Sequence, residues 1–346
     1  MQSSEEFSFI CKLNFTAMMQ DLIRDFSKHL TEAISIGEKT SFSPSKNKLK
    51  NVLICGLGGS GIGGTIISQM LAQECKVPIQ VNKDYHIPAF VNEHTLVVCC
   101  SYSGNTEETL SMYEQAKENG AEVSIITSGG KFAELAESNQ HNILKIPGGH
   151  PPRAAFGLAF PQLLFTFEKY GLISDEKISQ LNSAISLLDR EEEAIQTEAK
   201  SLSERLHKKM PIIYSESSLE GVSVRFRQQI NENSKMLCWH HAIPEMNHNE
   251  LVGWRTKDED LAVVIFRTEA DYYRNQERIE YSKKVFSEYT SNINEVYAKG
   301  ENDIERVCYL IHLGDWVSYF LAELKGIDSV EVDVITGLKN MLAGLE

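Results

Sequence analysis

Short apolar runs that end in glycine or serine and pass at once into helical spacing recur along this chain. That alternation leaves few folds open. Val52-Leu53-Ile54-Cys55 ends in Gly56-Leu57-Gly58-Gly59-Ser60-Gly61, after which Ile62, Ile66 and Met70 recur at helical spacing. Leu96-Val97-Val98-Cys99-Cys100 leads into Ser101-Tyr102-Ser103-Gly104 and a helical stretch over 106–118. Val123 to Thr127 leads into Ser128-Gly129-Gly130 and a helix over 131–138, with further strands at 79–82 and 143–146. Strands without polar alternation are buried on both faces, and helices between them supply the covering layers, so the pattern predicts a parallel sheet.

The alternation begins again later. A leading helix over 14–36, with Met18, Leu22, Phe26, Leu30 and Ile34 at four-residue intervals, precedes a Ser- and Lys-rich loop at 40–50. A charged helical stretch over 176–209 bridges to strands at Pro211 to Tyr214, Leu261 to Phe266 and Ile293 to Tyr297, separated by helices over 218–236, 272–288 and 303–324. A short helix is expected near Gly337 to Leu345. The expected fold is α/β: two doubly wound parallel-sheet subdomains in three αβα layers, over 1–175 and 176–346.

Composition narrows the function. The 346 residues are 42% hydrophobic and 24% charged, enough for a sizeable core. A net charge of −14 argues against a nucleic-acid partner, which needs clustered Lys and Arg, but leaves room for an anionic small substrate in a locally basic cleft. No apolar stretch reaches the roughly 18 residues of a membrane span, and MQSSEEFSF carries no signal-type segment. The seven cysteines are odd in number and lack CxxC spacing, and Cys55, Cys99 and Cys100 fall in strand-like runs. They read as buried reduced thiols in a cytoplasmic protein.

The glycines of 56–64 let backbone N–H groups approach an anion at a helix start. Formally they contain GxGxxG, but the acidic residue a dinucleotide site needs has only Asp84 as a candidate, and Asp84 follows Asn82-Lys83 rather than an apolar run. The next strand ends in three hydroxyls, Ser101, Ser103 and Thr106, a donor set suited to a phosphate monoester. Taken singly, Ser103 or Thr106 is as readily a helix cap.

A Gly-Ser-Gly loop, the string Ser101-Tyr102-Ser103-Gly104-Asn105-Thr106-Glu107 and a third loop Thr127-Ser128-Gly129-Gly130 together resemble the sugar isomerase (SIS) domain. The resemblance implies five parallel strands in each half and a substrate phosphate held by Gly59, Ser60, Ser101, Ser103 and Thr106. Three further strings, Pro151-Pro152-Arg153-Ala154-Ala155-Phe156-Gly157, Gln229-Ile230-Asn231-Glu232-Asn233-Ser234-Lys235 and Pro244-Glu245-Met246-Asn247-His248-Asn249-Glu250, with Leu338-Lys339, resemble the bifunctional phosphoglucose/phosphomannose isomerase family. These matches run from about residue 50 to residue 340.

That resemblance implies an aldose–ketose isomerase acting on hexose 6-phosphates without metal or cofactor. Glu232 would be the base and Arg153 would face the enediolate. His248, from the neighbouring subunit of a homodimer, and Lys339 would open the sugar ring. Such a reaction needs a base, a cation for the enediolate and a ring-opening acid/base. Asn247 and Glu250 receive no definite role. A zinc site from Cys238, His240, His241 and His248 fits no standard ligand spacing. The alternatives are a non-catalytic sugar-phosphate-binding regulator and an NAD-dependent enzyme.

Overall fold

The computed structural model describes residues 19–345; Cys11 and Met18 lie outside them. Two parallel sheets carry the chain. The first has the order β2-β1-β3-β4-β5, formed by Asn51–Cys55 (β1), Ile79–Asn82 (β2), Thr95–Cys100 (β3), Glu122–Thr127 (β4) and Asn142–Lys145 (β5). β1 lies between β2 and β3, with Val52 opposite both Ile79 and Leu96, so the strand order reverses between β1 and β3. In open α/β sheets the crevice beyond such a reversal is the ligand site. Every residue of β3 is buried, as its uninterrupted apolar run requires.

The second sheet has four strands rather than five, in the order β7-β6-β8-β9. β6 is Met210–Glu216, β7 Trp239–Ile243, β8 Leu261–Arg267 and β9 Ile293–Tyr297. β7 escaped the sequence reading. Its segment, Trp239-His240-His241-Ala242-Ile243, sits at the sheet edge with only its last two residues buried, so it shows no buried run. Its histidines drew attention as ligands instead.

The helices are α1 Phe26–Lys39, α2 Gly58–Met70, α3 Glu107–Glu118, α4 Gly130–Asn139 and α5 Phe156–Lys169. They continue with α6 Glu176–Leu206, α7 Glu220–Ser234, α8 Tyr273–Phe286, α9 Asp303–Lys325 and α10 Asp333–Leu342. α10 begins four residues earlier than expected and none of its side chains is buried. Among the described residues no helix is long and apolar enough to cross a membrane. The six described cysteines are free, with Cys55, Cys99, Cys100 and Cys308 buried.

One apolar core runs from β1 and β3 through α2, α5, α6, α7 and α9 to β8. Its hinge point is the crossing of α2 and α7. A side chain at Gly221 would meet Ile66 at 2.8 Å, so glycine lets the helices close. The Gly221 amide donates to Gln69 Oε1 at 2.8 Å. The start of α7 thus meets the end of α2. The antiparallel crossing carries the end of α7, and with it Glu232, to the glycine-rich start of α2.

Candidate active site

The hydroxyl-bearing loops converge at the β1/β3 reversal. Ser60 Oγ accepts the Tyr102 amide at 3.2 Å, tying the first loop to the second. Ser101 Oγ lies 2.8 Å from Thr106 Oγ1 and accepts the Gly104 amide at 3.1 Å. Gly104 adopts φ +73°, and a Cβ there would stand 1.8 Å from the Gly129 carbonyl oxygen, so only glycine closes this turn. Ser103 is exposed at the rim and accepts the Asn105 amide at 3.3 Å. Thr106 stands at the N-cap of α3 in extended conformation, but no side chain caps the helix. The capping role open to Thr106 in the sequence is therefore not its role. Its hydroxyl faces Ser101, and the first-turn N–H groups of α3 stay available to an anion.

The segment after β5 brings in Arg153. A side chain at Gly59 would meet the Pro152 carbonyl at 3.2 Å and Arg153 Cα at 3.5 Å, so the glycine loop and the Arg153 turn are in contact. Arg153 occupies a 3-10 turn, Pro152–Ala154, and is 4% exposed. Its Nε donates to Asn233 Oδ1 at 2.6 Å, and Nη2 donates to the carbonyls of Ser329 at 2.6 Å and Val330 at 2.9 Å. Nη1 is left facing Glu232, whose Oε2 lies 3.7 Å away. Burial pulls the guanidinium down from its ordinary pKa, and the Glu232 carboxylate opposes that pull. Glu232 sits in the last turn of α7, partly exposed, where that helix meets the cleft.

Behind this pair lies a buried network that the sequence reading missed. Asp315 on α9 accepts Arg225 Nη2 at 2.7 Å and Gln229 Nε2 at 2.8 Å. Arg225 Nη2 also donates to the Arg153 carbonyl at 3.1 Å. Asn233 Nδ2 donates to Ser318 Oγ at 2.9 Å, which fixes the amide that holds Arg153. Lys235 ends the helix in the left-handed region, and its Nζ donates to the carbonyls of Glu232, Asp328 and Glu331. Arg153 and Lys235 together pin the strap 328–331 across the end of α7. Asp315 had a readable signal: a lone carboxylate in the apolar run of 307–322 must find a partner. The strap carbonyls had none, since backbone acceptors leave no mark in a sequence.

His248 and Lys339 are not drawn into this cluster within one chain. Both are exposed, and neither forms a side-chain hydrogen bond or ion pair with another described residue. Asp84 is exposed and, among the described residues, accepts only the amide of Tyr85, at 2.7 Å. The residues weighed as zinc ligands go separate ways. Cys238 Sγ lies 3.8 Å from the Arg227 carbonyl, His240 Nε2 lies 3.8 Å from Glu220, and His241 Nδ1 lies 2.7 Å from Glu250 Oε2. Among the described residues no three His, Cys, Asp or Glu side chains gather as a ligand set.

Residues 47–168 match the SIS domain, and residues 195–342 match the bacterial phospho-glucose isomerase C-terminal SIS domain. The chain is 38% identical over 338 residues to the bifunctional phosphoglucose/phosphomannose isomerase of Caldicellulosiruptor bescii, covering 95% of this chain and 100% of that one. The chain belongs to the bifunctional phosphoglucose/phosphomannose isomerase family. The family's enzyme from Thermoplasma acidophilum is 34% identical, covering 94% of this chain and 100% of its own. Among solved structures, a phosphosugar isomerase (so described, provisionally, by its solvers) from Clostridium difficile 630 superposes with a TM-score of 0.72 at 17% identity, covering 90% of this chain and 95% of its own. That likeness speaks to the fold alone.

Proposed function

We propose that this protein interconverts glucose 6-phosphate and mannose 6-phosphate with fructose 6-phosphate by metal-independent proton transfer through a cis-enediol. The observation that carries the reading is the Glu232 carboxylate 3.7 Å from Arg153 Nη1, on the helix end that meets the hydroxyl loops. Residues 1–175 supply the phosphate-binding groups and 176–346 the base and ring-opening groups.

The substrate phosphate is held by Ser60, Ser101, Ser103 and Thr106 and by the uncapped start of α3, with Gly59 letting the backbone come close. Glu232 removes the C2 proton of the open-chain aldose. The released electron pair forms the C1–C2 double bond, and the carbonyl oxygen becomes the enediolate oxygen. The two N–H groups on Arg153 Nη1 face that charge, since the ion-pair gap to Glu232 is too long for a direct hydrogen bond. The O2 hydroxyl proton passes to O1, the C2 carbonyl forms as the C1–C2 double bond collapses, and return of the Glu232-held proton to C1 yields the ketose. His248 from a second copy of the chain, in a homodimer, and Lys339 carry the proton that opens and recloses the ring. The setting of this reaction is the cytoplasm.

A coupled assay on EDTA-treated protein tests the reading, following fructose 6-phosphate formed from each aldose separately. Turnover of both aldoses is expected. Failure with both, while either one raises the melting temperature, would favour a sugar-phosphate-binding regulator instead.

A further inference from the structure

The segment after β7 folds into two consecutive 3-10 turns, Glu245–His248 and Glu250–Gly253. Almost every polar side chain in it is tied down. Asn247 Nδ2 donates to Ser282 Oγ on α8 at 2.8 Å. Asn249 Nδ2 donates to Glu245 Oε1 at 2.7 Å, and Asn249 Oδ1 accepts the Glu250 amide at 2.6 Å, capping the second turn. Glu250 takes donors from both neighbouring strands. Its Oε1 accepts the Tyr214 hydroxyl of β6 and, at 3.3 Å, Trp239 Nε1 of β7. Its Oε2 lies 2.7 Å from His241 Nδ1, also of β7. Trp254 Nε1, at the far end of the segment, donates to the same Tyr214 hydroxyl at 3.2 Å. His248 alone among the polar side chains of 245–250 has no hydrogen-bond or ion-pair partner among the described residues, and it is exposed.

An anchored loop around one free imidazole is a device for holding that imidazole in a fixed place. We propose that Glu250 is a positioning residue: its carboxylate locks the 244–254 segment to β6 and β7, and so fixes where His248 is presented. The inference rests on the ring-opening role of His248 proposed above. Glu250 acts through His248, so its loss acts on the reaction step and not on the phosphate site, which lies on the other sheet. A carboxylate suits this place because it offers two acceptor oxygens to three donors. Glutamine keeps the shape but supplies one acceptor and turns an amide donor on the rest.

The test compares E250Q, Y214F, H248A and the double variant H248A/E250Q, with fructose 6-phosphate as substrate. E250Q is expected to lower kcat on the order of ten- to a hundredfold, as a displaced catalytic group does. KM should stay within about twofold, because binding groups are untouched. Y214F, which removes one of the three donors, should move kcat the same way by less. Residues that act as a unit are not additive, so H248A/E250Q should be no slower than H248A. Two of the three tryptophans, Trp239 and Trp254, touch the Glu250–Tyr214 pair, so the E250Q fluorescence spectrum should shift while the far-ultraviolet circular dichroism stays native. A slow H248A beside an E250Q with wild-type kcat overturns the positioning role alone. So does a double variant whose losses multiply, or a KM that rises as kcat falls. H248A at the wild-type rate removes the role beneath the proposal, and the proposal falls with it.

Discussion

Replacing Asp315 with asparagine tests the network that aims the proposed base and its arginine. Asp315 accepts Arg225 at 2.7 Å and Gln229 at 2.8 Å, and the Arg225 and Asp315 side chains are 3% and 9% exposed. Water therefore does little to screen the pair. Breaking a buried pair by removing one charge costs about 3–5 kcal/mol, because the remaining charge stays buried. Here Arg225 keeps the Arg153 carbonyl at 3.1 Å and lies 4.4 Å over the Phe156 ring, which places D315N near the lower end of that range. About 3 kcal/mol is a large share of a native stability of roughly 5–15 kcal/mol. Urea unfolding followed by circular dichroism should show a lower midpoint with an unchanged slope. The apolar double replacement R225M/D315L should recover much of the loss, since it strands no charge. It should not recover activity, because the Arg153 carbonyl loses its donor. A D315N unfolding free energy within about 1 kcal/mol of wild type would refute the reasoning, as would an R225M/D315L variant less stable than D315N.

Two further outcomes follow from single residues. Gly104→Ala sets a Cβ against the Gly129 carbonyl at 1.8 Å in a left-handed conformation that alone costs about 1–2 kcal/mol, so it should lower the melting temperature and abolish the stabilisation given by inorganic phosphate. A G104A protein with unchanged phosphate stabilisation would contradict the turn's role. His240 is held down to about 4 from an ordinary 6.5, first by burial and then by the nearby Arg227 charge. The unfolded chain therefore takes up that proton first, and this contribution to stability is full above pH 6.5 and lost as pH falls toward 4. H240N should flatten that part of the urea-midpoint profile, and an unchanged slope would show that the proton is taken up elsewhere.

Much of the first half was legible because its signals are local. The buried runs of β1, β3 and β4, each followed by glycine or serine, mark strand, turn and helix within a dozen residues. The second half was legible wherever a strand is buried on both faces, as at β6 and β8, and failed at β7, where the half-exposed Trp239 and His240 break the apolar run. The site followed the same division. Ser60, in the first turn of α2, and Ser101 and Thr106, between β3 and α3, lie in Gly/Ser-rich strings that mark them in the sequence. Asn233, Lys235 and the 328–331 strap depend on contacts across about 80 to 177 residues of chain, which no local pattern records. Arg153 illustrates the difference: its type and its place in the Pro151–Gly157 string were readable, whereas the spending of Nε and Nη2 on Asn233 and the strap, leaving only Nη1 toward Glu232, required the fold.

The most direct measurement runs the wild-type protein and Glu232→Gln in deuterated water on fructose 6-phosphate, reading turnover together with deuterium at the transferred carbon position. Wild type is expected to place solvent deuterium at C2 of the aldose product in the fraction of turnovers in which the Glu232 carboxyl exchanges with water before returning its proton. E232Q should lose about 10²–10⁴-fold in kcat, the usual contribution of a positioned acid–base group, while fructose 6-phosphate still raises its melting temperature. Turnover of E232Q near the wild-type rate would contradict proton transfer by Glu232.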